Sequence, residues 1–379
     1  MRVLITGGAG FIGAATAQML TEVEGVDVVV LDSLHPQIHG LEPETQSWTY
    51  QRAAAHATVV RGDVTVREDL IESLRGADAV LHLAAETGTG QSMYEIDRHT
   101  RVNVGGTGLL LDVLRKESHS VRRLIVASSR AVYGEGRYWA EGLGFFFPAS
   151  RTAEDMRAGR FNIQHPAGSG EVRFVTTTED SLLQPASVYA VTKQAQEQLT
   201  LVAAAAMGVT GVALRYQNVY GPGQSLSNPY TGILSIFSNQ ILNGRGINVF
   251  EDGLESRDFV FIDDVARANC LALAGDDSVT GVINIGSGVG TTLLEVVSAL
   301  IGAYRRPVPV EVTGEFRLGD IRHNIADIER ANRILGFTPE TDFAAGSAAF
   351  AAWVSGQPAI DPGGYQESLD ELRRHKLLS

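Results

Sequence analysis

Three side chains of this sequence could together move a proton. Tyr189 and Lys193 stand four residues apart in YAVTK, and positions i and i+4 share one face of a helix. A free tyrosine has a pKa of about 10, so a tyrosine that acts as a base at about pH 7 needs roughly 4 kcal/mol of differential stabilisation. A neighbouring ammonium can supply part of it. Ser129 follows a buried apolar run and could hydrogen-bond the same substrate oxygen.

The N-terminal residues predict a site for a dinucleotide. An apolar β-type run leads into Gly7, Gly10 and Gly13, spaced GxxGxxG, and an amphipathic stretch follows. A strand, a glycine turn and a helix N-terminus in this order form a pyrophosphate site. The next apolar run ends in Asp32, where a carboxylate accepts hydrogen bonds from both adenosine ribose hydroxyls and repels a 2′-phosphate. The pattern therefore predicts NAD rather than NADP.

The elements that position these residues alternate along the chain. Apolar β-type runs recur between helical patterns at Val3–Thr6, Val28–Leu31, Thr58–Arg61, Ala79–Leu83, Leu124–Ala127 and Gly211–Tyr216. This alternation predicts an α/β fold, a Rossmann-type doubly wound parallel sheet with a smaller mixed α/β substrate-binding domain. Ligands of such sheets bind at the carboxyl ends of the strands.

We expect three regions in the chain. Residues 1–219 form the NAD-binding Rossmann domain, with a long insertion at 135–184, and the segment 259–285 returns to its sheet. Residues 220–258 and 286–355 form the substrate domain, and residues 356–379 form a C-terminal tail. The insertion is rich in aromatic residues, and it is expected either as a lid or dimer contact or as a decoration without such a role.

Composition excludes several classes of protein. Among 379 residues, 31 Lys and Arg stand against 44 Asp and Glu, so the formal charge is −13. This charge disfavours nucleic acid or an anionic membrane as a general partner. The single cysteine, Cys270, leaves no internal disulfide and favours a reducing cytoplasm. The N-terminus lacks the apolar core and cleavage site of a signal peptide. We expect a cytoplasmic enzyme without a metal site.

Motifs over nearly the whole chain carry a resemblance to a known family. In order, they are TGGAGFIG (Thr6–Gly13), HLAA (His82–Ala85), NVGGT (Asn103–Thr107), SSRAVYG (Ser128–Gly134), YAVTK (Tyr189–Lys193), LRYQNVYGPG (Leu214–Gly223), RDFVFIDDV (Arg257–Val265) and RLGD (Arg317–Asp320). The chain resembles the extended short-chain dehydrogenase/reductases of the nucleotide-sugar epimerase/dehydratase family. The resemblance implies NAD as the cofactor and a nucleotide-diphosphate sugar as the substrate.

The resemblance also implies a role for each matched residue. The catalytic residues would be Ser129, Tyr189 and Lys193. The cofactor would contact Gly7, Gly10, Phe11, Ile12, Gly13, Asp32, Asp63, Val64, Leu83, Ala84, Ala85, Asn103, Tyr189, Lys193 and Tyr216. The substrate would contact Glu86, Thr87, Ser129, Arg130, Asn218, Arg257, Arg317 and Asp320.

Within the substrate set, Arg257 and Arg317 match the two arginines that grip the diphosphate. A guanidinium binds phosphate oxygens bidentately, which a lysine does not. Arg322 is expected either to extend this clamp or to form a surface salt bridge. His82 is expected to support the loop after its strand rather than to act in catalysis.

The resemblance implies that hydride leaves the sugar for NAD⁺ and gives a 4-keto sugar. Dehydratases of the family carry an acidic pair directly after the Ser/Thr, and here Arg130 and Ala131 stand in those positions. A 4-epimerase, which returns the hydride to the opposite face, is therefore favoured. Its motifs are most similar to those of epimerases that interconvert dTDP-L-rhamnose and dTDP-6-deoxy-L-talose.

Other functions stay open at this point. The first is an NAD(P)H-dependent 4-ketoreductase, and the second is a UDP-glucose 4-epimerase. A redox-sensing binding protein without catalysis is disfavoured, because Ser129, Tyr189 and Lys193 are all present. The resemblance also implies a homodimer that pairs the helix after Asn103 and the helix that carries Lys193.

Overall fold

The structure of this protein is a computed structural model that describes residues 1–226, 228, 232–317, 319–358, 369–371, 373–375 and 378. Its strands are β1 (Arg2–Thr6), β2 (Asp27–Asp32), β3 (Thr58–Arg61), β4 (Ala79–His82), β5 (Arg123–Ser129), β6 (Tyr138–Ala140), β7 (Gly144–Phe146), β8 (Val172–Phe174), β9 (Thr210–Tyr216), β10 (Asn218–Tyr220), β11 (Ile247–Val249), β12 (Ser256–Phe261), β13 (Gly281–Ile285), β14 (Gly290–Thr292), β15 (Val310–Val312) and β16 (His323–Asn324).

Helices connect these strands. They are α1 (Phe11–Thr21), α2 (Pro36–His39), α3 (Pro43–Gln46), α4 (Trp48–His56), α5 (Arg67–Ser73), α6 (Thr89–Ser92), α7 (Ile96–His99), α8 (Thr107–Lys116), α9 (Ala153–Arg157), α10 (Val188–Met207), α11 (Ile233–Leu242), α12 (Ile262–Ala274), α13 (Leu293–Tyr304), α14 (Glu329–Leu335) and α15 (Phe343–Ser355). A π-helical stretch, Thr100–Gly106, precedes α8, and a 3-10 turn, Arg130–Tyr133, follows β5.

The main sheet has seven parallel strands in the order β3-β2-β1-β4-β5-β9-β13. The order reverses between β1 and β4, and ligands of doubly wound sheets bind at this switch point. Alternate residues of β1 point to opposite faces of the sheet: Val3 and Ile5 belong to one apolar cluster, and Leu4 belongs to the other. The predicted α/β fold with a Rossmann-type doubly wound parallel sheet is confirmed, and smaller sheets accompany it.

A smaller sheet begins where the chain leaves β9. β10 pairs in parallel with β12, and β12 also pairs with β14 and β16. Of the segment 259–285, only β13 joins the main sheet. The expected return is therefore wrong for residues 259–261. The physical reason is an aromatic cluster, in which Tyr220 of β10 packs against Phe259 and Phe261 of β12.

The insertion at 135–184 is ordered around a three-stranded antiparallel sheet, β7-β6-β8. Its aromatic side chains pack partly within this sheet, where Tyr138 contacts Phe146 and Phe174. The boundaries expected for the domains and for the insertion stay a prediction. Most of the expected tail at 356–379, and Leu318 in the RLGD motif, lie outside the described residues.

In the described part of the chain, no helix is both long and apolar enough to cross a membrane.

Candidate active site

A cleft of about 1080 Å³ opens at the carboxyl ends of the main strands. Of the residues predicted to contact the cofactor, those that line it are Gly7, Gly10, Phe11, Ile12, Gly13, Asp32, Asp63, Val64, Leu83, Ala84, Ala85, Tyr189, Lys193 and Tyr216. The structure thus brings the glycine loop and the proposed catalytic helix to one cleft, whose size suits an elongated dinucleotide.

The glycine loop forms the narrow wall of this cleft. Gly7 has φ of +69°, and a Cβ there would lie 2.7 Å from the backbone nitrogen of Ala84. Gly10 precedes α1 in an extended conformation, and no side chain caps the helix. A Cβ on Gly13 would lie 2.4 Å from the Cα of Gly8. The loop therefore requires glycine, and the first N–H groups of α1 are available to a pyrophosphate.

Asp32 ends β2 at the edge of the cleft. Its carboxylate accepts from the backbone N–H groups of Ala9 at 3.0 Å and Leu34 at 2.9 Å. These bonds hold the carboxylate in place and leave acceptor capacity on both oxygens for ribose hydroxyls. His39 lies behind it, with Nε2 3.6 Å from Oδ1. The fixed carboxylate fits NAD and disfavours a 2′-phosphate.

Asn103 is the one predicted cofactor residue that lies outside the lining of the cleft. It is fully buried, and its amide oxygen accepts from Glu86 N at 2.7 Å. Its amide nitrogen donates to Glu86 O and to Thr192 Oγ1, both at 3.0 Å. In this structure Asn103 joins the loop after β4 to α10, so it supports the wall of the cleft from behind.

Two predicted substrate residues, Glu86 and Thr87, also line the cleft. The Glu86 carboxylate accepts from Arg98 at 2.7 Å, and Arg98 also donates to Gln37 at 3.3 Å. Gln37 belongs to α2, the short helix that follows Asp32. The pair therefore places the Glu86 carboxylate toward the adenosine end of the cleft.

Ser129 and Tyr189 are joined by a hydrogen bond, and of the two only Tyr189 lines the cleft. Ser129 closes β5, and Tyr189 lies in the first turn of α10, which Ser187 caps by accepting from Ala190 N at 3.2 Å. Burial raises the pKa of Tyr189, while a hydrogen bond with Ser129 and the charge of Arg130 act to lower it. A bound cofactor must supply further positive charge before Tyr189 can act as a base.

Lys193 lies one turn further along α10 and is almost completely buried. Its Nζ donates to Gln196 Oε1 at 2.8 Å, and burial lowers the pKa of the amine to about 7. The i, i+4 spacing predicts an ammonium beside the phenol, and both Lys193 and Tyr189 line the cleft. The charge of Arg130 also acts on Tyr189. The catalytic roles of these residues stay predictions.

His82 has the supporting position expected for it. Its Nδ1 lies 2.7 Å from Thr6 Oγ1 and its Nε2 lies 2.9 Å from Thr107 Oγ1. Burial, reinforced by the charge of Lys193, lowers the pKa of His82 to about 3. A neutral ring with both nitrogens engaged is not available as an acid or base.

Tyr216 also has its polar group engaged, since its hydroxyl donates to Asn269 at 2.6 Å.

The predicted diphosphate arginines differ sharply in their surroundings. Both Nη atoms of Arg257 are engaged: Nη2 donates to Asp320 Oδ1 at 2.8 Å and to Ile321 O at 2.7 Å. Nη1 donates to the carbonyls of Ser256 at 2.9 Å and Arg322 at 3.1 Å. Arg257 therefore holds the chain at 320–322, and only Nε remains for a phosphate.

Arg317 is the more available cation. Its guanidinium lies 5.1 Å from the ring centre of Phe250, and its Nε is buried with no hydrogen-bond acceptor among the described residues. Burial raises the pKa of Asp320, but Arg257, Arg317 and Arg151 more than offset it, so the pKa lies below its usual value. An ionised Asp320 beside Arg317 can accept from a ribose hydroxyl.

Arg130 and Asn218 are in contact, because Arg130 Nε donates to Asn218 Oδ1 at 2.8 Å. Burial and the charge of Arg257 lower the pKa of Arg130 to about 10. A cation that has lost solvation and stands beside another guanidinium is a favourable place for a phosphate or an oxyanion.

Arg322 takes neither of the roles expected for it. It is buried, and it donates to the Asp252 carboxylate at 2.6 and 2.8 Å and to Asn162 at 2.9 Å. Glu251 and Glu255 complete an acidic group around it. Arg322 therefore pairs mainly with Asp252 inside the protein and is not free for a diphosphate.

Several residues of the site were not predicted from the sequence. Trp48 of α4 and Trp353 of α15 line the cleft and contact each other edge to face, with ring centres 5.5 Å apart. Gln196 contacts Lys193, and Arg151 of the insertion donates to Asp320 O at 3.0 Å. Of these, only Gln196 has a local signal, since it lies on the helix face of Lys193 at i+3.

Comparison with known proteins finds similar sequences over most of the chain. The model of the NAD dependent epimerase/dehydratase family matches residues 3–145 and 164–286. A dTDP-L-rhamnose 4-epimerase of Burkholderia thailandensis is 37% identical over 358 residues, which are 93% of this chain and 95% of that protein. A UDP-glucose 4-epimerase of Mycolicibacterium smegmatis is 31% identical over 351 residues, 92% of this chain and 96% of that protein.

Solved structures are similar over the same range. UDP-glucuronic acid 4-epimerase from Bacillus cereus, in complex with UDP-glucuronic acid and NAD, has a TM-score of 0.76 and 26% identity, and the match covers 94% of this chain and 99% of that chain. UDP-glucose 4-epimerase from Thermotoga maritima, with UDP-glucose, has a TM-score of 0.73 and 27% identity, with coverage of 94% and 99%.

Proposed function

We propose that this chain, which belongs to the NAD-dependent epimerase/dehydratase family, interconverts dTDP-L-rhamnose and dTDP-6-deoxy-L-talose. The chain is an NAD-dependent nucleotide-sugar epimerase and its cofactor is NAD. The choice of substrate within this class rests on the similarity to the Burkholderia thailandensis enzyme, at 37% identity over nearly the full length of both chains.

The observation that carries the proposed reaction is the residue after Ser129. An elimination of water needs an acid near this serine, and Arg130 occupies that place with its Nε on Asn218. A half-buried guanidinium with a pKa of about 10 is a poor proton donor at neutral pH. The site therefore favours epimerisation, in which a hydride leaves the sugar and returns to it, rather than elimination of water.

In the proposed mechanism the residues of the chain position and deprotonate the sugar. Ser129 donates to the oxygen on C4, and Tyr189 takes the proton of that hydroxyl. The glycine loop and Asp32 would hold NAD, which would supply the acceptor for the C4 hydride and the donor for its return to the other face of the ketone. Arg317 and Arg130 hold the diphosphate while the sugar turns, and Tyr189 returns the proton.

The test is turnover without an external reductant. The purified protein is incubated with dTDP-L-rhamnose in D₂O, with no NADH added, and the products are followed by ¹H NMR. We expect the 4-epimer to form with no deuterium on carbon, because hydrogen leaves and returns without exchange. Deuterium on the sugar carbons, or oxidation of the sugar only in proportion to added NAD⁺, would contradict the proposal. The second outcome would indicate a 4-ketoreductase.

UDP-glucose is the second candidate substrate. The similarity to UDP-glucose 4-epimerases in sequence and in structure favours it. The same NMR assay with UDP-glucose and dTDP-L-rhamnose in parallel separates the two, and we expect a higher kcat/KM for dTDP-L-rhamnose.

We also propose that the protein is a homodimer that pairs α8 and α10. Along α10, Val191, Leu199 and Val202 are exposed, and Val202 is 72% exposed. On α8, Leu110, Leu111 and Leu114 are buried under the sheet, so α10 carries most of this surface. Light scattering of the wild type and of Val202→Glu tests it. We expect the mass of a dimer for the wild type and of a monomer for the variant.

A further inference from the structure

The ammonium of Lys193 is held by a residue that the proposed mechanism does not use. Lys193 is 2% exposed, and Gln196 Oε1, at 2.8 Å, is its one hydrogen-bond acceptor among the described residues. No carboxylate pairs with it there. An ammonium has three hydrogens to donate, so two remain directed to other acceptors, and Lys193 lines the cleft.

The orientation of the Gln196 amide follows from its other contact. Thr107 Oγ1 donates its single hydrogen to Asn103 O at 2.6 Å. It must therefore accept from its remaining neighbour, and Gln196 Nε2 donates to it at 2.8 Å. With the amide nitrogen committed to Thr107, the amide oxygen faces Lys193. Gln196 is completely buried, so no solvent competes for either group.

This contact belongs to a chain of hydrogen bonds that reaches the main sheet. Thr107 also accepts from His82 Nε2 at 2.9 Å, and His82 Nδ1 accepts from Thr6 Oγ1 at 2.7 Å. Thr6 Oγ1 in turn accepts from the backbone N–H of Ala84, on the wall of the cleft, at 3.3 Å. The chain therefore ties the Gln196 side chain to the ends of β1 and β4, the two strands that flank the switch point.

We propose that Gln196 is a positioning residue for Lys193: its amide oxygen, oriented by Thr107, holds the ammonium so that the other two hydrogens face Tyr189 and the cofactor. The proposal rests on the proposed epimerase function, in which Lys193 is a catalytic residue. Gln196 also favours the charged form of Lys193, because a hydrogen bond to an ion is stronger than one to a neutral amine.

Among the described groups that surround Lys193, Gln196 is the one that stabilises the ammonium. His82 of β4 is neutral, with a pKa lowered to about 3, and Tyr189 of α10 has a raised pKa. Glu197 of α10 is paired with Arg215 of β9 at 2.6 Å, so its charge is already balanced. From α8 and the π-helical stretch, the neighbours Thr107 and Asn103 are uncharged. Burial alone lowers the pKa of Lys193 to about 7.

The test compares two variants with a matched control in the purified holoenzyme. Gln196→Met removes the acceptor and keeps an unbranched side chain, and Gln196→Glu replaces it by a charged acceptor. Gln198→Met, at an exposed position of the same helix, is the control. For each protein, the retained NAD is quantified after release from the protein, with no sugar present. The pH dependence of kcat and the KM for the nucleotide sugar are then measured.

We expect Gln196→Met to retain less NAD and to move the alkaline limb of the kcat profile to lower pH by about one unit or more. Gln196→Glu should move that limb to higher pH, and the KM for the sugar should change little in both. Gln198→Met should match the wild type. If Gln196→Met does not fold, the direction of the shift in Gln196→Glu decides the question.

An unmoved alkaline limb and unchanged NAD retention in the Gln196 variants would overturn this proposal. So would the same shift in Gln198→Met. Failure of the proposed function looks different, because wild-type protein would then not interconvert dTDP-L-rhamnose and its 4-epimer, while the comparison of retained NAD would still hold.

Discussion

Arg257 and Arg317 have different surroundings, so we expect different effects when each is removed. Loss of Arg257 should lower the free energy of unfolding, and loss of Arg317 should mainly raise the KM for the nucleotide sugar. Arg257→Ala would remove the donors that Asp320, Ile321 and Arg322 now accept from. Two buried carbonyls and a half-exposed carboxylate would lose a charged donor, and we expect the free energy of unfolding to fall by about 2–4 kcal/mol. The KM for the nucleotide sugar should rise as well, because the chain at 320–322 loses its support.

Arg317→Ala should act almost only on binding. Its guanidinium has no hydrogen-bond acceptor among the described residues, and its contact with Phe250 contributes about 0.5–1 kcal/mol. Loss of a phosphate contact worth about 1.5–3 kcal/mol raises KM by roughly 10- to 100-fold. The kcat should change little, since the contact is common to the ground and transition states.

Urea unfolding and steady-state kinetics on both variants provide the assay, and Arg317→Lys provides the control. The lysine keeps the charge but not the bidentate geometry, so an intermediate KM is expected. An Arg257→Ala protein as stable as the wild type, or an Arg317→Ala protein with an unchanged KM, would refute this reasoning.

Two further predictions concern the buried charges. Burial raises the pKa of Glu255 to about 7 from an ordinary 4.5. The free energy of unfolding of the wild type therefore falls as the pH rises between these values, because the buried carboxyl must ionise. Between pH 5 and pH 8, Glu255→Gln should gain up to about 3 kcal/mol relative to the wild type in urea unfolding. An equal difference at both pH values would contradict this. Arg151→Met should lower the free energy of unfolding by about 3–5 kcal/mol, because Glu135 and Glu251 each lose one buried charged partner. It should raise the KM for the sugar and leave the retained NAD unchanged, and a KM equal to that of the wild type would show that the insertion does not support Asp320.

The main sheet could be predicted from the sequence for a physical reason. Its central strands are buried on both faces and contain continuous apolar runs, such as Leu124–Ala127 in β5, where all residues from Arg123 to Ser129 are buried. The edge strand β3 is only partly buried. The glycine loop and Asp32 are also local, because a turn, a helix N-terminus and a strand end lie within one βαβ unit.

The contacts that decide the substrate site are not local. Arg257 donates to carbonyls 64 and 65 residues away, and Arg151 reaches a carbonyl 169 residues away. Spacing along the chain gives no information on such pairs, so an arginine that holds the backbone looks the same as one that is free for a phosphate. The pairing of β12 with β10 was missed for the same reason, since an apolar run does not specify which strand it joins.

The helical spacing of Tyr189 and Lys193 was correct, but it did not determine what the lysine contacts. The ammonium donates to the amide oxygen of Gln196, which is its hydrogen-bond acceptor among the described residues. The spacing i+3 also places Gln196 on this face, but among many polar residues on a long helix it has no distinguishing feature before the contacts of Thr107 and Asn103 are seen.

The proposed role of Tyr189 is tested most directly by Tyr189→Phe, with retained NAD and turnover measured on the same preparation. We expect NAD at the level of the wild type, because the glycine loop and Asp32 are unchanged. Turnover of the nucleotide sugar should fall below detection, since phenylalanine has no oxygen to accept the proton. A variant that retains NAD and still interconverts the sugars at the wild-type rate would contradict the account.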